Sequence, residues 1–251
     1  MRKTSSSREA GYFGYRKIDP AQKAGLVRQV FENVAPSYDL MNDLMSLGIH
    51  RLWKRRLVGM VKPKAGEAIL DVAGGTGDIA FLMHREAPKA SITVCDINPA
   101  MLKVGKARAI DRGIIKGVIF KEGNAEKLPF KNGSMDVYTI SFGLRNVTHI
   151  DKALKDAYRV LKPGGRFFCL EFSQVAEPLK PLYDIYSFGV LPFLGKYVAN
   201  DEASYQYLAE SIRQFPKQDD LAARMKKAGF KNVKYTNFSG GICAVHQGVK
   251  A

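Results

Sequence analysis

The stretch Ala68-Ile69-Leu70-Asp71-Val72-Ala73-Gly74-Gly75-Thr76-Gly77-Asp78 constrains the fold more than any other part of this chain. It reads as a short buried strand that runs into a glycine-dense turn and then a helix. Three glycines within four residues allow backbone conformations that side chains forbid, and they let a ligand approach the main chain closely. A helix from about Gly77 points its unpaired N–H groups and positive dipole end at that ligand.

The chain around this turn alternates strand and helix. Residues 77–86 read as helix, and 91–97 as a strand carrying Cys95-Asp96 near its end. A helix starts near Asn98-Pro99, where Asn suits the N-cap and Pro the first turn. Strands over 118–122 and 135–142 follow. A helix over 151–161 stops at Lys162-Pro163-Gly164-Gly165, and residues 166–172 form the fifth strand. Such alternation calls for a mostly parallel, doubly wound sheet with helices on both faces. Helices over 201–215 and 218–228 come next, then strands over 233–237 and 242–247 joined by Ser239-Gly240-Gly241, a hairpin signal. A seven-stranded α/β sheet ending in an antiparallel hairpin is typical of Rossmann-like S-adenosylmethionine-dependent methyltransferases.

Three helical runs precede the first strand. Ala24, Val27, Val30, Phe31 and Val34 recur at helical spacing, and Ala35-Pro36-Ser37-Tyr38-Asp39 breaks that helix. A second run covers 40–47, ended by Gly48. A third, over 50–60, sets Leu52, Trp53, Leu57 and Met60 against a basic side. The expected organisation is a flexible tail over 1–19, a helical cap over 20–64 within the same domain, and a methyltransferase domain over 65–251. A substrate-side insertion is expected at about 178–215, where Tyr183, Tyr186, Phe188, Phe193 and Tyr197 either shape an entrance for a long apolar tail or pack as ordinary core. The N-terminal segment reads as a mobile tail or as the remnant of an organellar transit peptide.

The net charge of +15 over 251 residues bears on surroundings rather than fold. It fits nucleic acid, an anionic membrane surface, an acidic partner, or simply a basic surface. Arg51, Lys54, Arg55, Arg56, Lys62 and Lys64 follow one another without an intervening acid. No apolar run approaches the ~18–20 residues that a membrane span needs. Cys95, Cys169 and Cys243 are widely spaced in expected strands and read as small buried side chains, neither a disulfide frame nor a metal site.

The turn is ambiguous when taken alone. Gly75-Thr76-Gly77-Asp78-Ile79-Ala80 fits a variant of the dinucleotide fingerprint, and Asp96 stands nineteen residues beyond Gly77, where a ribose-binding acid is expected. Asp71 favours S-adenosylmethionine over NAD, because an acid near the turn suits an ammonium and a sulfonium but repels a pyrophosphate. Its other reading is a local backbone cap. Asp96 can accept both ribose hydroxyls, or merely cap the next helix. Asn124-Ala125 can hold the adenine, and Ser141 ends the fourth strand, where an open sheet places ligand contacts. With Gly74, Gly75 and Gly77, these strand ends fit S-adenosylmethionine better together than singly.

Longer motifs now carry a resemblance. The chain resembles the ubiquinone/menaquinone biosynthesis C-methyltransferases of the UbiE/MenG type. The first motif runs Tyr38-Asp39-Leu40-Met41-Asn42-Asp43-Leu44-Met45-Ser46-Leu47-Gly48-Ile49-His50-Arg51-Leu52-Trp53, and the second starts at Arg159-Val160-Leu161-Lys162-Pro163-Gly164-Gly165 and continues to Ser173. Ser141-Phe142-Gly143-Leu144-Arg145-Asn146-Val147 also matches, as do Ala199-Asn200-Asp201 and Glu210-Ser211-Ile212-Arg213. The resemblance implies cofactor contacts at Thr76, Asp96, Asn124, Ala125 and Ser141. It implies methyl transfer to a ring carbon of a polyprenylated quinol, 2-methoxy-6-polyprenyl-1,4-benzoquinol and/or demethylmenaquinol. The ring must be reduced, since a quinone carbon is electron-poor.

Arg145 is the first catalytic candidate, as a permanent cation that favours the phenolate and positions a water; guanidinium itself is a poor base. Asn146 and Tyr38 are candidates to hold the quinol hydroxyls, with His149 and Asp39 as alternative bases or mere caps. The expected partners are the quinol, an anionic membrane surface, a second copy and other quinone-biosynthesis enzymes. Expected placement is cytoplasmic at the bacterial inner membrane, or on the matrix side of a mitochondrial one. A nucleic-acid methyltransferase, an NAD-dependent oxidoreductase and a non-catalytic assembly protein are the rivals. The first is disfavoured by Ser141-Phe142-Gly143-Leu144, which lacks the Pro-Pro-aromatic motif of many base amino-methylating enzymes.

Overall fold

The structure, a computed structural model, describes residues 11–34, 43, 46, 48–175 and 202–251. The chain opens with an antiparallel hairpin, β1 (Gly11–Phe13) and β2 (Arg16–Ile18), then helices α1 (Pro20–Val34) and α2 (His50–Val61). The alternating part follows as β3 (Ala68–Val72), α3 (Asp78–Glu86), β4 (Ser91–Asp96), α4 (Pro99–Asp111), β5 (Val118–Glu122), β6 (Met135–Ser141), α5 (Ile150–Val160) and β7 (Leu161–Phe172). Helices α6 (Glu202–Gln214) and α7 (Gln218–Lys227) precede β8 (Lys231–Phe238) and β9 (Cys243–Val249).

Seven strands form one sheet in the order β5-β4-β3-β6-β7-β9-β8. The first five are parallel, and β9 pairs antiparallel with both β7 and β8. The chain runs outward from β3 to β5, then returns to β6 on the other side of β3. That reversal opens a crevice at the carboxyl ends of β3 and β6, where open α/β sheets bind ligands.

β3 is buried on both faces, which is why it reads as an unbroken apolar run around one acid. Ile69 packs with Trp53, Leu57 and Val61 of α2 and with Ile79 and Met83 of α3. Leu70 and Val72 face the opposite core, with Leu154 and Ala157 of α5 and Leu221 and Met225 of α7. Asn98 caps α4 as its position suggests, its Oδ1 accepting from the Ala100 and Met101 N–H groups at 2.9 and 3.3 Å.

Three expectations change. Residues 11–18, read as tail, form the β1–β2 hairpin. A two-stranded hairpin is marginal alone, and this one is held from afar. The Phe13 ring stacks on Tyr207 of α6 at 4.1 Å, and the Tyr15 N–H donates to Glu210 Oε2 at 2.9 Å. Secondly, β7 starts at Leu161, which pairs with Met135 before Arg166 pairs with Val137. Lys162-Pro163-Gly164-Gly165 is thus looped out of a continuing strand, with Gly164 at φ +76°.

Thirdly, the basic run is not one solvated face. Lys54 is buried and pairs with Asp78 at 2.7 Å, and Arg51 pairs with Asp43 at 2.7 Å. Arg55, Arg56, Lys62 and Lys64 stay exposed. The three cysteines are buried and unpaired. The helical run over 40–47, Tyr38, Asp39 and the aromatic stretch 183–197 lie outside the described residues, apart from Asp43 and Ser46. Among the described residues no helix is long and apolar enough to cross a membrane, and no cluster of potential ligands could hold a metal.

Candidate active site

A cavity sits at the carboxyl ends of β3, β4, β5 and β6. Gly75, Asp96, Asn124, Ala125 and Asn146 line it, with Ile97, Met101, Phe142, Val147 and Thr148. Val27 and Arg28 of α1 close it from the cap side. Two glycines shape the turn at its base: Gly75 lines the cavity and Gly74 lies just beneath it. At Gly74 a Cβ would stand 2.8 Å from both Asp71 Oδ2 and Val94 Cγ1, so a larger residue would force the turn off the sheet. Gly75 takes φ +52°, which L side chains rarely adopt.

Asp96 ends β4 and sets one end of the cavity. Its Oδ2 accepts the Gly75 N–H at 2.9 Å and its Oδ1 the Asn98 N–H at 2.8 Å. Burial pushes its carboxyl up to about 6, against the pull of those backbone N–H groups. It therefore joins the glycine turn to the head of α4 and keeps lone pairs for a ligand. Asn124 accepts the Glu126 N–H on its Oδ1 at 2.9 Å, which leaves its NH₂ as the group to offer a ligand. Between Asp96 and Asn124, Ile97, Met101 and Ala125 make an apolar slot. A carboxylate for a diol, an amide donor and an apolar slot together fit a nucleoside.

Asp71, Gly74, Thr76, Gly77 and Ser141 belong to the layer beneath this cavity and do not line it. Asp71 is fully buried and accepts the Thr139 hydroxyl at 2.7 Å; its Oδ2 has no hydrogen-bond partner among the described residues. Burial, with Asp96 nearby, raises it to about 7, against the Thr139 bond. Asp71 thus lies beneath the glycine turn, next to Gly74, and off the cavity lining. Thr76 turns its hydroxyl to Arg108 Nη1 at 3.1 Å. Gly77 precedes α3 as its N-cap, at φ +86°. The Ser141 hydroxyl is buried, with no hydrogen-bond partner among the described residues.

Beyond β6 the chain makes a short 3-10 turn, Leu144–Asn146. Arg145 is buried at 6% exposure, and its Nη1 donates to Glu171 Oε1 at 2.8 Å and to the Phe142 carbonyl. The Arg145 backbone N–H also donates to Glu171 Oε2 at 3.3 Å. Burial raises the Glu171 carboxyl while the Arg145 charge opposes that rise. The guanidinium, read as the cation for a phenolate, is already balanced by Glu171 and does not line the cavity. It holds the turn.

Asn146 does line the cavity, at the end away from Asp96. The Tyr207 hydroxyl donates to its Oδ1 at 3.0 Å. His149 gives its backbone N–H to Glu126 Oε1 at 3.0 Å and makes no side-chain cap bond to α5. Glu171 and Tyr207 escape sequence reasoning. Glu171 alone had a signal, as a single charge inside the apolar run Phe167-Phe168-Cys169-Leu170-Glu171-Phe172.

Solved proteins share this fold. A solved Thermotoga maritima S-adenosylmethionine-dependent methyltransferase, described as a possible histamine N-methyltransferase, is similar at 20% identity and TM-score 0.66, covering 90% of this chain and all of that one. Haemonchus contortus phosphoethanolamine N-methyltransferase 2, solved with S-adenosyl-L-methionine, is similar at 16% identity and TM-score 0.59, covering 78% of this chain and 52% of that one. At such identities the likeness is one of fold.

Sequence relatives say more. The ubiquinone/menaquinone biosynthesis C-methyltransferase UbiE of Brucella abortus is 55% identical over 242 residues, covering 95% of this chain and 90% of the relative. The UbiE of Brucella anthropi is 54% identical over 242 residues, covering 95% and 92%. The model of the ubiE/COQ5 methyltransferase family matches residues 19–250. This chain belongs to the ubiE/COQ5 methyltransferase family and is a methyltransferase whose methyl donor is S-adenosylmethionine.

Proposed function

We propose that this chain methylates a ring carbon of a polyprenylated quinol, 2-methoxy-6-polyprenyl-1,4-benzoquinol and/or demethylmenaquinol. The observation that carries this reading is the 55% identity to UbiE C-methyltransferases over 95% of the chain. Bound S-adenosylmethionine supplies an electrophilic methyl group on a sulfonium sulfur. Asp96 takes the ribose hydroxyls, Asn124 and Ala125 hold the adenine edge, and the Gly75 backbone lies against the nucleoside. Asn146, steadied by Tyr207, receives a quinol hydroxyl at the far end. Arg145 acts through the turn it holds rather than as an open cation. Alignment of the reacting atoms can supply roughly 7–11 kcal/mol of such a reaction.

The long apolar tail brings the enzyme to a membrane surface. Arg55, Arg56, Lys62 and Lys64 are exposed beside Leu52 at 47% and Ile49 at 40% exposure, a face suited to anionic lipid. Each such cation contributes ~1 kcal/mol near the surface. Flotation with vesicles of rising phosphatidylglycerol content is expected to recruit the protein; recruitment indifferent to anionic lipid removes this face.

The deciding assay offers reduced and oxidised forms of both ring types with labelled methyl donor. Label in the carbon framework of a reduced ring alone is the expected result. Transfer to the oxidised ring, or to neither type, overturns the reading.

A further inference from the structure

The glycine turn is anchored in two halves. Gly74 gives its N–H to the Cys95 carbonyl at 3.3 Å, and Gly75 gives its own to Asp96 Oδ2 at 2.9 Å, so the first half is fixed to β4. The second half, Thr76-Gly77-Asp78, leaves the sheet, and two cations hold it. Lys54 of α2 donates to Asp78 Oδ2 at 2.7 Å. Arg108 of α4 donates to the Thr76 hydroxyl at 3.1 Å and stands 3.7 Å from Asp78 Oδ1.

The turn needs such a hold. Ala73, Gly75 and Gly77 take φ of +49°, +52° and +86°, three left-handed residues within five. For Ala73 that region is strained, and strain of this kind persists only where the surroundings over-determine the backbone. On α2, Lys54 is buried with Trp53, Leu57, Val58 and Val61. Its side chain is 8% exposed, and an ammonium there is costly unless it meets an acid. Burial would raise the Asp78 carboxyl, yet the charge and hydrogen bond of Lys54, with Arg108 and Arg112, hold it below its ordinary value. Asp78 thus stays ionised to meet the ammonium.

We propose that Lys54 is a positioning residue for the methyl donor. Through Asp78 it fixes the second half of the turn and the head of α3, and so the backbone against which the nucleoside lies. None of the described residues lining the active cavity belongs to α2. The helix therefore serves the donor at one remove, and Lys54 makes the connection. Arg108 does the same from α4, through Thr76.

The test is calorimetry of S-adenosylmethionine on the purified full chain, which needs no acceptor. Lys54→Met keeps the aliphatic stem and removes the charge. It is expected to weaken donor binding about 10-fold, the order of one lost charge-assisted hydrogen bond. Asp78→Asn is expected to weaken it by a similar factor. The double variant is expected to lose less than about twofold beyond the more damaging single change, because the two residues act as one unit. With a short-chain reduced benzoquinol as acceptor, the donor KM of Lys54→Met is expected to rise in step with Kd. Its kcat at saturating donor is expected to fall less than about threefold, as befits a residue that serves binding.

Unchanged donor affinity in Lys54→Met overturns the proposal. So does a double variant whose loss is the product of the single losses, the mark of two independent packing effects. A fall in kcat at saturating donor with Kd unchanged also overturns it, since that would put Lys54 on the acceptor side. Should Lys54→Met not fold, Asp78→Asn decides, and wild-type donor affinity there rejects the assignment. Failure of the wild-type enzyme on every quinol would instead sink the quinol reading and leave the binding result standing.

Discussion

The Tyr207 hydroxyl donates to Asn146 Oδ1 at 3.0 Å across 61 residues of sequence, so the far wall of the active cavity is oriented by a helix beyond the sheet's parallel half. Phe13 stacks on the Tyr207 ring, which ties the first strand of the chain to the same wall. Tyr207→Phe keeps the stack and removes the hydrogen bond. It is expected to lower kcat by about 3–10-fold, the worth of one net hydrogen bond, with cofactor affinity unchanged. Steady-state kinetics beside calorimetry checks this split; a change in cofactor Kd alone would misplace Asn146.

Glu171 and Arg145 form a pair at 1% and 3% side-chain exposure. Removing one partner leaves a buried charge alone. Glu171→Gln is expected to cost about 3–5 kcal/mol of folding stability, whereas the double change Arg145→Met with Glu171→Met recovers much of it. Urea denaturation midpoints measure both. The double variant is still expected to turn over slowly, because the turn carrying Asn146 loses its anchor.

Asp96 gives a pH dependence with a definite sign. Its folded-state value of about 6 lies above the ordinary 3.8. The folded protein without ligand therefore binds the proton more tightly than the unfolded chain. This group favours folding at low pH, and that contribution is lost as pH rises from about 4 to about 6. Asp71, at about 7, adds the same sign up to neutrality. Ribose hydroxyls need the ionised carboxylate, so S-adenosylmethionine affinity is expected to fall by up to tenfold per pH unit below about 6. Asp96→Asn should abolish that slope in calorimetry while weakening binding throughout.

Gly143 tests how closely the turn after β6 approaches the glycine turn. A Cβ there would overlap the Ala73 Cβ, although the backbone at Gly143 (φ −117°) suits any residue. Gly143→Ala is expected to destabilise by about 1–3 kcal/mol through overpacking and to weaken cofactor binding. Thermal melts with and without S-adenosylmethionine separate the two effects. An unchanged melting point would show that the two turns have room to part.

The readings that held are those whose physics is local. The glycine turn after β3 is legible because φ above zero and close approach leave little but glycine. Asp96 is legible because parallel strands bring their carboxyl ends to one edge, so an acid ending β4 must border the crevice. The βα alternation and the terminal hairpin follow from hydrophobic period and turn residues alone. Where roles changed, the cause was a partner distant in the chain. Arg145 stands in a motif as an open cation, yet Glu171, 26 residues on, cancels it. Thr76 turns to Arg108, Asp71 lies under the turn rather than in the cavity, and Lys54 leaves the basic run to pair with Asp78. Backbone conformation and strand-end position are written in adjacent residues. Which charge meets which, and which polar group stays open to a ligand, depends on how the helices settle on the sheet, and only the folded chain decides that.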